Sequence, residues 1–156
     1  MPLQGDLRRN ELIVPWHEPT DANLVFIGRI RTPWTSRADC PHYGRPEGPL
    51  CRIEVDEPWG RALDGIEAFK RIEVLYWLHE SRRDLIRQSP ADDGRTKATF
   101  TIRSPIRPNP IGTSVVILVR RIGPVLDVRG LDCVDGTPLL DLKPDRSEFH
   151  QTPSRD

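Results

Sequence analysis

Lys97-Ala-Thr-Phe-Thr-Ile-Arg-Ser-Pro-Ile-Arg-Pro-Asn-Pro-Ile-Gly-Thr-Ser-Val-Val-Ile-Leu-Val-Arg-Arg-Ile122 decides how the chain is read. Ser114–Ile122 is apolar and rich in β-branched residues, the composition of a strand. Lys97–Arg103 reads as a second strand leading in. Between them, Arg103–Thr113 packs two arginines, three prolines, an asparagine and a glycine into eleven residues. Each proline fixes φ and lacks an N–H, which excludes a helix interior and a central strand. Residues before the prolines are pushed to extended conformations, so the segment reads as a rigid loop between two strands. Arg103, Arg107 and Asn109 stand on it with little freedom left to lose. Their side chains suit carboxylates, phosphates and nucleobase edges. A Pro-rich connection with solvated arginines is the competing reading.

Working outward, short strands continue on both sides. Val125–Leu131 follows the Gly123-Pro124 turn, Val134-Asp-Gly-Thr137 carries an Asp-Gly turn signal, and Pro138–Lys143 is a last short strand. Upstream, Leu24–Arg31 and Cys51–Val55 read as strands. Trp59–Phe69 has apolar residues at helical spacing, Leu63, Ile66 and Phe69, interrupted by Gly65. Arg71–His79 alternates with apolar residues on both faces, which predicts a central strand covered twice. His79 and Glu80 stand at its end, where a scaffold presents functional groups. Ser81–Arg95 is a charged excursion with a helical turn expected around Asp84–Gln88. About seven short strands with little helix predict an all-β fold, an antiparallel β-barrel or a sandwich. Residues 24–144 form the domain, 1–23 an N-terminal arm with a small apolar patch at Leu12–Trp16, and 145–156 a polar tail. The arm is expected to be poorly ordered or packed on the body or on a partner subunit.

Composition narrows the function. The chain has 156 residues, 37% hydrophobic and 29% charged, enough for one domain with a core. No apolar run approaches the roughly 20 residues of a membrane helix, and the start has no signal-peptide h-region. Three widely spaced cysteines argue against a disulfide framework or a cysteine zinc site and fit the reducing cytoplasm. No metal site is expected. Glycine motifs for dinucleotides or phosphates and the serine-hydrolase elbow are absent. Net charge is zero, but its distribution is uneven. Residues 39–80 carry nine acids and five bases, whereas 81–107 carry seven bases and three acids. The Pro-rich loop therefore ends a basic segment suited to an anionic partner. The long polar loop Arg37–Pro49 holds Cys40-Pro41-His42, a thiol, a turn and an imidazole side by side.

Five blocks in order carry a family resemblance: Ile27–Trp34, Gly65–Phe69, Leu75–His79, Phe100-Thr-Ile-Arg-Ser-Pro-Ile-Arg-Pro-Asn-Pro-Ile-Gly-Thr-Ser114, and Leu131–Pro144. In these the chain resembles the TsaA/TrmO-like tRNA methyltransferases over roughly residues 25–144. The resemblance implies a non-Rossmann barrel that binds S-adenosyl-L-methionine (SAM) near the interface of a homodimer. It implies methylation of the exocyclic nitrogen of threonylcarbamoyladenosine beside the tRNA anticodon. SAM contacts are then expected from Cys40, Pro41, His42, Leu78, His79, Glu80, Arg103, Thr113, Arg129, Gly130, Leu131 and Asp132. Arg107 and Asn109 belong to the signature and are expected at the chemistry, with His79 or Asp132 as the group assisting deprotonation. Arg107 stabilises developing charge, or clamps the threonyl carboxylate or a phosphate. The tRNA is expected along residues 81–107. Two departures bear on the acceptor: longer members carry a small C-terminal domain expected to be missing here, and the family's Lys-Pro-Tyr is Lys143-Pro144-Asp145. Another modified nucleoside, a small molecule, or a non-catalytic SAM-sensing or nucleic-acid-binding barrel are the alternative readings.

Overall fold

The computed structural model describes residues 6–15, 18 and 20–147. Trp16 of the expected arm patch and residues 148–156 of the tail lie outside the described residues. The chain divides into two compact units, one from residues 1–24 and 77–112, the other from 25–76 and 113–156. The described strands are β1 (Leu12–Ile13), β2 (Gly28–Arg31), β3 (Cys51–Val55), β4 (Arg71–Trp77), β5 (Leu85–Gln88), β6 (Lys97–Ala98), β7 (Ile111–Ile122), β8 (Val125–Arg129) and β9 (Pro138–Pro144). Helix is confined to short 3-10 turns such as Trp59–Leu63 and Thr99–Thr101. None is long and apolar enough to cross a membrane. The expected all-β barrel is therefore met, with more strands than the seven anticipated because β1 and β5 were not among them.

In the larger unit the strands close into a barrel in the order β2-β3-β8-β7-β4-β9. Pairing is antiparallel throughout the recorded registers: Ile30 faces Ile53, and Ile53 faces Leu126. Strand alternation sends one side chain of every two inward. On β3 these are Cys51, Ile53 and Val55; on β4 they are Ile72, Val74 and Tyr76. Ile30, Ile53, Ile72, Val74, Leu126, Val128 and Leu139 have no exposed surface at all. A buried side chain of this size contributes about 1.5–3 kcal/mol, so these positions dominate the unit's stability. The other face of β4, with Leu75 and Trp77, is half-buried, not covered twice as the alternation implied. The β7–β8 turn is Gly123-Pro124, and Gly123 takes φ +58, where a side chain would be strained.

The smaller unit is a three-stranded sheet, β1-β5-β6. Here the structure corrects the local reading twice. Asp84–Gln88 is not a helical turn; Leu85–Gln88 is the central strand, with Leu85 and Gln88 buried. Its partners are β1 from the arm and β6 from ten residues downstream, contacts that local periodicity does not contain. The strand expected over Lys97–Arg103 stops at Ala98, because Thr99 turns its hydroxyl onto the Leu85 carbonyl at 2.6 Å and starts a 3-10 turn. In the larger unit, the strand expected from Leu24 begins only at Gly28, and Val25 and Phe26 are exposed.

Replacing Ile53 by Ala in the barrel centre is expected to cost about 2–5 kcal/mol, read as a lower denaturant midpoint at unchanged slope.

Candidate functional site

The Pro-rich segment poses a backbone problem. Pro105, Pro108 and Pro110 supply no N–H groups, yet the carbonyls around them still need donors. Side chains supply most of them. Arg107 Nη1 donates to the carbonyls of Ile102 at 2.7 Å and Ser104 at 3.2 Å. Gln88 Nε2, buried, donates to the Ile106 carbonyl at 2.8 Å and to Thr99 Oγ1 at 3.0 Å. Arg83 Nε donates to the Pro108 carbonyl at 2.6 Å. The Asn109 carbonyl accepts from Ile111 N–H at 2.7 Å, and the Pro110 carbonyl from Leu78 N–H at 2.8 Å. The loop is rigid because each of these carbonyls is held.

That wiring sets what the loop can offer. Arg83 Nη2 donates to Asn109 Oδ1 at 3.2 Å while its guanidinium lies 5.2 Å from the Trp77 ring centroid. Burial lowers the pKa of Arg83. An arginine only donates, so the Asn109 carbonyl oxygen faces it and the amide NH₂ is what remains for a ligand. Arg107 keeps Nε and Nη2 beyond its two carbonyl contacts, with its guanidinium 5.8 Å from the Phe100 ring. Arg103 is exposed. The side chains of Arg103, Arg107 and Asn109 thus offer donors. His79 is exposed beside it in sequence, Leu78 and Glu80 are half-buried, and the Leu78 N–H ties this strand end to Pro110 within the smaller unit.

The larger unit carries the remaining expected residues. The Arg129–Asp132 turn belongs to a connection, Gly130–Thr137, bound at many points. Asp135 N–H donates to the Trp34 carbonyl at 2.7 Å, Gly136 N–H to Ile30 at 2.8 Å, and Ile30 N–H to Thr137 at 2.9 Å. The Thr32 hydroxyl donates to the Cys133 carbonyl at 2.8 Å. Gly130 and Gly136 take φ +115 and +82, which only glycine adopts without strain. Leu131 and Cys133 are buried, and burial pushes the Cys133 thiol up to about 12, which keeps it protonated and non-nucleophilic.

Arg129 does not reach outward: its Nη1 donates to the Gly48 carbonyl at 2.7 Å. Gly44 packs so closely on the Gly130 carbonyl that a Cβ there would collide with it. These two contacts bring the Arg37–Pro49 loop onto the turn, with Cys40 half-buried and Pro41 and His42 exposed. Thr113 Oγ1 donates to Glu73 Oε1 at 2.9 Å, an exposed link between β7 and β4. Asp132 is half-buried, and its Oδ1 accepts from the Tyr76 hydroxyl at 2.8 Å. Sequence reasoning missed Tyr76, Ser114, Gln88 and Arg83. Ser114 is the last residue of the signature block, and Tyr76 is a hydroxyl at an inward position of an apolar strand, so both left a trace. Among the described residues no group of three His, Cys, Asp or Glu side chains is arranged to hold a metal.

Residues 29–150 match the family model of the tRNA-methyltransferase O N-terminal domain. The chain is 59% identical over 141 residues to a probable S-adenosyl-L-methionine-binding protein, VirR, of Rhizobium radiobacter, covering 90% of this chain and 81% of that one. It is 30% identical over 129 residues to the tRNA (adenine(37)-N6)-methyltransferase of Escherichia coli, covering 76% of this chain and 55% of that enzyme. The crystal structure of TrmO from P. aeruginosa superposes with a TM-score of 0.70 at 26% identity, covering 90% of this chain and 62% of that one. The chain thus spans little more than half of these longer methyltransferases.

Arg83→Met keeps the aliphatic bulk but removes the donors to Pro108 and Asn109. Amide exchange at Asn109 and Ile111 is expected to quicken about tenfold, measured by hydrogen–deuterium exchange, with the barrel amides unchanged.

Proposed function

Because this chain belongs to the tRNA-methyltransferase O N-terminal domain family, we propose that it is a SAM-dependent methyltransferase acting on tRNA. The acceptor is the exocyclic nitrogen of threonylcarbamoyladenosine beside the anticodon. The observation that carries this reading is the loop at Arg103–Pro110, whose side chains present donors and whose shape is fixed by its held carbonyls before any ligand arrives. SAM and the threonylcarbamoyl group each bear a carboxylate, and both need such donors. When bound, SAM supplies a methyl group on a sulfonium, ready for in-line displacement.

The chain's residues fit that cofactor by the chemistry of their groups. In the larger unit the turn at Arg129–Asp132 offers backbone groups and one carboxylate to a nucleoside; in the smaller unit, taken by itself, Arg103 offers a guanidinium to a carboxylate. The half-buried Leu78 adds apolar surface. Arg107 turns Nε and Nη2 to the acceptor, where they hold its carboxylate or the charge that develops as the nitrogen loses its proton. His79 takes that proton, since the rival candidate Asp132 accepts from the Tyr76 hydroxyl. Holding the reacting groups in line contributes the larger share of the rate, up to about 7–11 kcal/mol in favourable cases.

For tRNA the useful charges are fewer than composition suggests. Arg82 pairs with Asp84, Arg87 donates to Thr96, and Arg95 lies 3.9 Å from Asp93. With Arg103 and Arg107 assigned to the carboxylates, Lys97, which has no carboxylate partner among the described residues, is the charge of this segment that meets a phosphate. The exposed Leu12, Ile13 and Ile86, on paired strands of the smaller unit, are the surface we assign to a second copy of the chain. A second reading, a barrel that binds SAM without transferring its methyl, is favoured by the name of the 59%-identical relative.

Mass spectrometry of tRNA nucleosides decides between them. Incubation with SAM is expected to convert threonylcarbamoyladenosine to its methylated form; SAM binding without conversion supports the second reading. Arg107→Ala is expected to lower methylation about 10²-fold or more while SAM affinity, by calorimetry, changes little. Ile86→Glu is expected to halve the molar mass seen by light scattering, and an unchanged mass removes that face from the proposed dimer.

A further inference from the structure

Tyr76 is an anomaly of the barrel interior. It points inward on β4 between apolar neighbours, is 3% exposed, and sits where the β4–β9 register slips between Leu75 and Tyr76. Such irregularities re-aim a side chain. A phenylalanine would fill the same space without a polar atom to satisfy, so the hydroxyl needs a reason of its own.

The hydroxyl has two partners in the same unit. Its oxygen lies 2.8 Å from Asp132 Oδ1 and 2.8 Å from Ser114 Oγ. A carboxylate only accepts, so the one phenolic proton goes to Asp132. Ser114 must then donate its own proton to the Tyr76 oxygen. The chain therefore runs one way, from Ser114 to Tyr76 to Asp132. Burial, and next the nearby Asp132 charge, raise the Tyr76 pKa above its ordinary value, so Tyr76 stays a donor. Asp132 sits on the connection fixed by Thr32, Thr137 and the Ile30 backbone. Its position is thus held by strand hydrogen bonds and its carboxylate by a directed side-chain relay.

We propose that Tyr76 and Ser114 are positioning residues. They hold the Asp132 carboxylate as a hydrogen-bond acceptor for a hydroxyl or amine of the cofactor's nucleoside, and this assigns Asp132 to cofactor recognition instead of proton removal from the methyl acceptor. The inference rests on the SAM reading above. A carboxylate that accepts from a fixed phenol is pre-oriented toward another donor, and ribose hydroxyls and the adenine amino group are such donors. The relay performs no bond making or breaking.

A double-mutant cycle tests it. Calorimetry with SAM and with S-adenosylhomocysteine is run on the wild type, Tyr76→Phe, Ser114→Ala, Asp132→Asn and Tyr76→Phe/Asp132→Asn. Tyr76→Phe is expected to weaken both ligands about three- to tenfold, and Ser114→Ala in the same sense by less. The double variant is expected to bind no more weakly than Asp132→Asn alone, because Tyr76 acts only through Asp132. In turnover the loss is expected in KM for SAM, with the pH profile of kcat retained. Full additivity, or an unchanged affinity in both Tyr76→Phe and Ser114→Ala, overturns the inference. So does a shifted pH profile of kcat in Asp132→Asn at saturating SAM. Wild-type protein that binds neither ligand sinks the functional reading itself, and the inference with it. A variant with a lowered melting temperature is read through Ser114→Ala, whose small surface change leaves the barrel packing intact.

Discussion

Missing N–H groups govern the smaller unit. Three prolines between residues 105 and 110 leave a run of carbonyls that no local turn can satisfy, and a loop in that state does not hold one shape. Arg107, Gln88 and Arg83 satisfy it from the side-chain inventory, and Leu78 does so from the end of the preceding strand segment. The consequence reaches the chemistry. Donors spent inward on carbonyls fix the orientation of the donors left over. Arg107 and Asn109 are therefore structural and available for ligand at once, a combination that the two opposed sequence readings treated as exclusive.

The larger unit solves a different problem by the same means. Its barrel strands are satisfied by their neighbours, so the vulnerable backbone is the connection from Gly130 to Thr137. Positive-φ glycines allow its turns, and hydrogen bonds to Ile30, Thr32 and Trp34 pin it to the adjoining strand. Arg129 and Gly44 extend the rigid region to the Arg37–Pro49 loop. The loop that composition marks as long and polar is in this way attached to the barrel at its far end, with Cys40 drawn to half-burial.

Much of this was legible in the chain itself, for a physical reason. Cys51–Val55 and Ser114–Ile122 alternate or run apolar over lengths that fit a strand, and barrel closure needs nothing more than that pattern repeated. Leu85–Gln88 was not legible, because it is a strand only through partners at Leu12–Ile13 and Lys97–Ala98. Leu24–Phe26 was over-read: β-branched composition favours a strand, but no neighbouring strand is there to pair it. At the candidate site, residue types were visible and their commitments were not. Arg129 was expected at the cofactor and its Nη1 is tied to Gly48; Asp132 was a candidate both as base and for binding, and it accepts from Tyr76.

The two units differ in hydrogen-bond character, and this difference orders the roles. The Pro-rich loop offers guanidinium and amide donors from Arg103, Arg107 and Asn109, while the carbonyls of Ser104, Ile106, Pro108, Asn109 and Pro110 are engaged within the unit. The Gly130–Thr137 connection offers an oriented carboxylate. Proton removal from an acceptor nitrogen requires a third kind, a base not already fixed as a hydrogen-bond partner. Of the two candidates, Asp132 already accepts from the Tyr76 hydroxyl. Among the described residues of the smaller unit, His79 is the one imidazole, exposed and adjoining in sequence the strand end that Pro110 anchors.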